Sequence, residues 1–259
     1  MDFQFTKYEI NNNCATIILN REDKLNSFNR EMSKELIYAL DLSGNNDNIR
    51  AIILTGAGKA FCAGQDLAEA ISGKYDIDNI LSEQYNPIIK MIRNITKPII
   101  AAVNGTAAGA GANIALACDI VIASDKASFI QAFSKIGLIP DSGGTYTLPR
   151  LIGLAKATAL MMTGEKISAL EAEKMNMIYK AVPNEEFNEY INTIATNLSN
   201  MPTKALGLIK RALNHTYTNS LQAQLELERV LQKEAAESYD YKEGVDSFLE
   251  KRAPIFKGK

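Results

Sequence analysis

Asp141 stands between Pro140 and Ser142-Gly143-Gly144, in the run LIPDSGGTYTLPR. A carboxylate in that setting has two chemically different uses. It can cap a helix by accepting N–H bonds at the helix start. It can also give and take protons, which works best when partial burial lifts its pKa toward the working pH. Ile139, Pro140 and a pocket-lining Phe133 favour such a lift, while a helix N-terminus just beyond would oppose it. Local sequence leaves both uses open.

Two glycine-rich turns, TGAGKAFCAGQDL and NGTAAGAGANIALACD, carry the second element of chemistry. Each follows an apolar, β-branched run. A small-residue turn at the C-terminal end of a strand exposes backbone N–H groups, and a helix start aims its dipole the same way. Two such turns side by side would offer two donors to one oxygen, which is an oxyanion hole. Ala63-Gly64 and Ala110-Gly111 are small enough for a carbonyl to approach the backbone; tight packing is the plainer use of the same residues. A dinucleotide fingerprint is not met. The third glycine of G-x-G-x-x-G is Phe61 in the first turn and Ile114 in the second.

Other chemistries find little support. His215 is the one histidine, within RALNHTYT, so any catalytic triad or imidazole-ligated metal would rest on it alone. There is no phosphate-cradling G-x-x-x-x-G-K-[ST]. Cys14, Cys62 and Cys118 have no metal-ligand spacing, and their odd number suits a reducing cytoplasm. No metal and no separate cofactor is expected. A net charge of -2 argues against nucleic acid as the main partner. Glu69 and Glu83, around EAISGKYDIDNILSEQ, are lesser acid/base candidates that read more simply as solvated charges on a specificity-shaping loop.

The elements that must hold these residues alternate. YEINNNCATIILN predicts a hairpin, NREMSKELIYALDLSGNN an amphipathic helix, and IRAIILTGAG a buried strand. LSEQYNPIIKMIRNIT predicts a helix interrupted at Pro87. KPIIAAVNG, DIVIAS and ASFIQA predict strands, and TYTLPRLIGLAKATALMMTG is helical from about Gly144. This is parallel α/β winding. From about Glu185 the pattern is helical nearly to the end, and it serves either its own core or another subunit. The 46% hydrophobic and 22% charged content is that of a soluble globular chain. MDFQFTKYEI carries no secretory pattern. The nearly uncharged run at 99–123 is broken by Asn104, Asn113 and Asp119, so no membrane partner is expected.

AFCAGQDL, KPIIAAVNGTAAGAGANIALACDIVIAS, IGLIPDSGGTYTLPRLIG, TGEKISALEAEKMNMI and FLEKRAPIFK resemble, in order, the landmarks of the crotonase (enoyl-CoA hydratase/isomerase) superfamily. The resemblance covers essentially the whole chain. It implies a spiral of ββα repeats over residues 1–195, and a helical trimerisation region over 196–259 that gives a homotrimer or a dimer of trimers. It further implies acyl-CoA thioester substrates, with CoA entering as part of the substrate. The oxyanion donors fall on Ala63 and Ala110, with Gly111 adjacent. Ala63, Gly64, Gln65, Asp66 and Leu67 line the CoA pocket, and Lys24 and Leu25 help hold its nucleotide end.

The catalytic groups depart from the family's hydratases. Those enzymes activate water with two glutamates, whose positions are taken here by Asn113 and Phe133. Asp141 falls where some isomerases of the family carry a proton-shuttling aspartate. The combination is most similar to the branch that isomerises the ring epoxide of phenylacetyl-CoA in phenylacetate catabolism and also shifts enoyl-CoA double bonds. The resemblance thus implies an isomerase in which Asp141 moves the proton, Asn113 orients substrate or a water, and Phe133 lines the pocket. A hydratase (lyase) of fatty acid metabolism and a non-catalytic CoA-binding member are the competing readings.

Overall fold

The computed structural model describes residues 2–71, 73 and 76–259. Strand β1 (Thr6–Asn11) pairs antiparallel with β2 (Cys14–Leu19) across Asn12 and Asn13, which hold φ of 46° and 62°. Two left-handed residues in succession are what a two-residue hairpin turn requires, and asparagine tolerates that conformation. The remaining strands are β3 (Ala51–Gly56), β4 (Ala60–Cys62), β5 (Ile99–Val103), β6 (Thr106–Ala108), β7 (Ile120–Ser124), β8 (Ser128–Ile130), β9 (Lys166–Ser168) and β10 (Lys180–Val182).

These strands form two sheets. The larger has the order β1-β2-β3-β5-β7-β10 and is parallel from β2 onward; the smaller has the order β4-β6-β8-β9. The chain therefore repeats one unit: a strand in the large sheet, a short strand in the small sheet, then a helical segment. The uninterrupted apolar run AIIL of β3 follows from burial on both faces. Ile52 and Leu54 join one core with Phe28, Leu36, Ile88 and Ile92, while Ala51 and Ile53 join a second with Phe187, Ile191 and Ala195.

Three expectations need adjustment. Pro87 does not interrupt its helix. It lies in the first turn of helix Asn86–Asn94, where a missing N–H costs nothing, and a π turn (Leu81–Tyr85) precedes it. The break in the next helical run comes instead at Gly153, between Gly144–Ile152 and Leu154–Thr163. The boundary expected between 195 and 196 falls inside helix Phe187–Ser199, which packs on the sheet, so the helical appendage begins at Thr203. Its helices are Thr203–His215, Leu221–Ala236 and Tyr239–Glu250. Among the described residues no helix is long and apolar enough to cross a membrane. The uncharged run at 99–123 becomes β5, β6, the helix Ala110–Ala117 and β7.

Asp119 ties the appendage to the sheet. One of its oxygens accepts the Ile99 N–H at 2.9 Å and the Lys210 ammonium at 2.7 Å, and the other faces Arg93 at 3.3 Å. Lys210 is buried, and desolvation pulls its pKa down even with Asp119 alongside. Removing the carboxylate strands that ammonium. Asp119→Ala should therefore lower unfolding stability by about 3 kcal/mol in chemical denaturation.

Candidate active site

The first turn lies along the loop 21–28 like an added strand. Ala63 N–H donates to Leu25 O at 3.0 Å, Phe28 N–H to Gly64 O at 2.7 Å, and Asp66 N–H to Phe28 O at 2.8 Å. This corrects the assignment of Ala63 as an oxyanion donor, because its N–H is already spent. Gly64 N–H points at Cys62 Sγ, 3.4 Å away. The Gln65 N–H is the next along, and it has no acceptor among the described residues. Gly64 sets it in that position with φ of 95°, a conformation that excludes most side chains.

The second turn meets the first at close range. A Cβ placed on Gly64 would lie 3.5 Å from Ala110 N and 3.0 Å from Ala108 O. Gly109, at φ 53° and ψ -126°, ends β6 and opens the helix Ala110–Ala117. Ala110 N–H lies in the first helical turn and has no acceptor among the described residues. A Cβ on Gly111 would lie only 2.4 Å from Cys62 O, so glycine there lets the helix sit directly on β4. Gln65 and Ala110 thus present free N–H groups from adjoining turns, backed by a helix dipole.

Asp141 is half-buried and tied through Asn113 to the helix that Ala110 opens, and it does not cap the following helix. Gly143 occupies the cap position at φ 73° with no side-chain bond, and Gly144 N–H is taken by the Asp141 main-chain oxygen at 2.8 Å. The carboxylate accepts the Ser142 hydroxyl at 2.7 Å. Burial raises its pKa above the ordinary aspartate range, and the Ser142 bond opposes that rise without cancelling it.

Asn113 is 1% exposed and committed to the protein. Its Nδ2 donates to Asp141 O at 2.9 Å, and its Oδ1 accepts from Gln131 Nε2 at 2.9 Å. The expected part in orienting substrate or water therefore gives way to a positioning one. Asn113 fixes the main chain that carries Asp141. Phe133 is buried in the turn Ala132–Ile136, with its ring edge facing Gly109, where it narrows the space next to Ala110.

The remaining candidates divide by location. Lys24 ends the short turn Glu22–Lys24 on the surface, and Leu25 follows it at φ 50° with its carbonyl on the Ala63 N–H. Asp66 serves structure: it caps Leu67–Ala70 and pairs with Arg21 at 2.8 Å. Burial would raise its pKa, but Arg21 and the backbone donors pull it below the usual range. Leu67 is exposed at the rim. Glu69 binds the Arg30 N–H at the start of helix Arg30–Asn45, and Glu83 pairs with the Arg30 guanidinium. Ser72, Lys74 and Tyr75 of the loop between them lie outside the described residues. His215 is exposed at a helix end, on a cavity of about 810 Å³ walled by Arg93, Tyr146, Arg150 and Lys210, which none of the candidate site residues lines.

Sequence reasoning passed over Tyr85, whose buried hydroxyl donates to Gln65 Oε1 at 2.7 Å. Nothing in LSEQYNPIIK separates it from a core tyrosine. Gln131, which braces Asn113, was equally hidden.

The raised pKa of Asp141 has a consequence for stability. The fold favours the neutral carboxyl, so ionisation above its pKa costs folding free energy. Asp141→Asn stays neutral. It should melt at an equal or higher temperature than the parent at neutral pH, with the difference shrinking as pH falls through the aspartate range.

Comparison with known proteins shows the family. Residues 9–259 match the family described as enoyl-CoA hydratase/isomerase. A protein of Rhodobacter capsulatus named "Probable enoyl-CoA hydratase" is 44% identical over 259 residues, 100% of each chain. The 1,2-epoxyphenylacetyl-CoA isomerase of Escherichia coli is 45% identical over 260 residues, 99% of each. The crystal structure of enoyl-CoA hydratase from Bacillus anthracis superposes with a TM-score of 0.92 at 34% identity, covering 99% of this chain and 100% of that one. With two small-residue turns meeting over a parallel ββα framework, the chain has the crotonase fold and belongs to the enoyl-CoA hydratase/isomerase family.

Proposed function

We propose that this chain is an acyl-CoA isomerase that works through a thioester enolate, with Asp141 as the proton carrier. The observation that carries the proposal is the state of Asp141: a half-buried carboxylate, raised in pKa and not used as a helix cap, tied through Asn113 to the helix whose first N–H, at Ala110, has no acceptor among the described residues. The thioester oxygen would sit between Gln65 N–H and Ala110 N–H. Deprotonation next to a thioester is slow in water because the enolate is unstable there. Two preorganised donors stabilise the enolate oxygen, each by roughly 3 kcal/mol judged from the loss of single oxyanion donors elsewhere.

Asp141 then takes a proton from one carbon and returns it to another, which moves the double bond with no net gain or loss of atoms. Water addition by a glutamate pair has no support at the two relevant positions, where an engaged amide (Asn113) and an aromatic ring (Phe133) stand. Rearrangement of a phenylacetyl-CoA ring epoxide uses the same thioester anchorage, and the 45% identity to the Escherichia coli isomerase favours it. The similarly close relative named as a hydratase makes hydration the reading to test against.

Incubation with a cis-3-enoyl-CoA, the 1,2-epoxide of phenylacetyl-CoA and crotonyl-CoA separates these activities. We expect turnover of one or both of the first two. Fast hydration of crotonyl-CoA would overturn the assignment. Asp141→Asn should retain CoA-thioester binding and lose turnover by about a hundredfold or more. The acid limb of the parent's pH profile should lie above the ordinary aspartate range, since the carboxylate form is the one that abstracts the proton.

Assembly as a trimer or dimer of trimers is part of the same proposal. Leu221, Leu225, Phe248 and Leu249 lie exposed on the C-terminal helices, an apolar surface that a partner subunit would cover. Light scattering should give a mass of three or six chains.

A further inference from the structure

The π turn Leu81–Tyr85 places an aromatic residue where an α-helical turn would not, and such turns recur at functional sites. Tyr85 is 1% exposed. Its hydroxyl has a single hydrogen-bond partner among the described residues, Gln65 Oε1 at 2.7 Å. The other end of that amide, Nε2, reaches Glu69 Oε2 at 3.3 Å. Glu69 is itself fixed by the Arg30 N–H at 3.0 Å.

The Gln65 main chain is gripped as firmly. Phe28 bonds to the residue on each side of it, through Gly64 O and Asp66 N–H. The Phe28 ring meets the Tyr85 ring edge to face, with centroids 5.9 Å apart and planes at 71°. One residue is thus clamped twice, through its backbone by Phe28 and through its side chain by Tyr85, and the two clamps pack on each other. Held between these clamps, the Gln65 N–H has no acceptor among the described residues. Fixing a peptide to better than an ångström is what a preorganised donor requires.

We infer that Tyr85 is a positioning residue of the active site, acting through the Gln65 side chain to hold the Gln65 N–H against the substrate thioester oxygen. The inference rests on the enolate reading above. It adds that the donor is held by a residue outside both glycine turns. The surroundings suit a neutral hydroxyl: burial first, then the nearby Cys62, Asp141, Glu69 and Asp66, push the Tyr85 pKa well above its ordinary value. The phenol therefore keeps its proton and remains a donor to Gln65 throughout the reaction. A core tyrosine would fill the same volume, but its hydroxyl would have no bearing on the thioester carbonyl.

The test uses cinnamoyl-CoA, a conjugated thioester whose absorption shifts to the red as its carbonyl accepts stronger hydrogen bonds. This reads polarisation of the bound carbonyl without turnover. The parent should bind it with a red shift; absence of any shift would count against the enolate reading itself. Tyr85→Phe, which keeps the ring, should bind within about threefold of the parent yet lose at least about half of the shift. Its kcat for isomerisation should fall by about tenfold or more with KM little changed.

Gln65→Met should reproduce both effects, and the double variant should be no worse than either single one, because the two side chains act as one unit. Gln65 is partly exposed, so that variant keeps the test open should Tyr85→Phe fail to fold. A full parental shift and turnover within about twofold in either folded single variant would overturn the inference.

Discussion

The site depends on two stretches of backbone meeting with no side chain between them. Gly111 rests against Cys62 at a distance that a single methyl group would violate, and Gly64 faces Ala108 O closely at a φ of 95° that strains any side chain. The strict constraint is therefore steric and local. It explains why a chain with 16 glycines places four of those that matter, Gly56, Gly64, Gly109 and Gly111, within the two turns. The parallel sheet supplies the rest, because β3 and β5 are neighbours in it and the turns that follow them must emerge side by side. Cys62, buried at this contact, has its thiol pushed up to about 12 by desolvation and stays an inert packing group.

A second layer of polar contacts converts that steric frame into a charged site. Gln131 holds Asn113, Asn113 holds the Asp141 main chain, and Gly144 makes room for the Asn113 amide by lacking a Cβ. Among the described residues the carboxylate itself is left with one weakly opposing partner, Ser142, whose own φ of 50° is unusual for a residue with a side chain. A carboxylate tied down by several donors would be a poor base. This one keeps most of its proton affinity because the chain around it, rather than the group, is held.

Much of this was legible in the sequence, and the failures share a cause. Apolar runs and Asn-rich turn chemistry located β1, β2, β3, β5, β7 and β8 but not the short β4, β6, β9 and β10, and glycine spacing located the two turns. The resemblance then fixed their meaning. Which N–H in a turn remains unpaired depends on what lies alongside, and no reading of FCAGQDL reveals that Leu25 consumes the one at Ala63. The part taken by Asn113 was hidden for the same reason, since its partners are 18 and 28 residues away in sequence. Tyr85 escaped because a π turn leaves no local signature and its partner lies 20 residues upstream. Long-range pairing decided each case.

The Asn113 amide also constrains how the protein could change over time. A glutamate at 113 would press a negative oxygen toward the Asp141 carbonyl, which now accepts a hydrogen bond from Nδ2, where the amide already packs against Gly144. A step at 113 toward the two-glutamate arrangement, with Phe133 still in place, thus passes through a variant with both a buried charge and a displaced Asp141. Any lineage leaving this arrangement would have to rebuild the Asp141 loop and residue 113 together, so the amide works as an evolutionary ratchet.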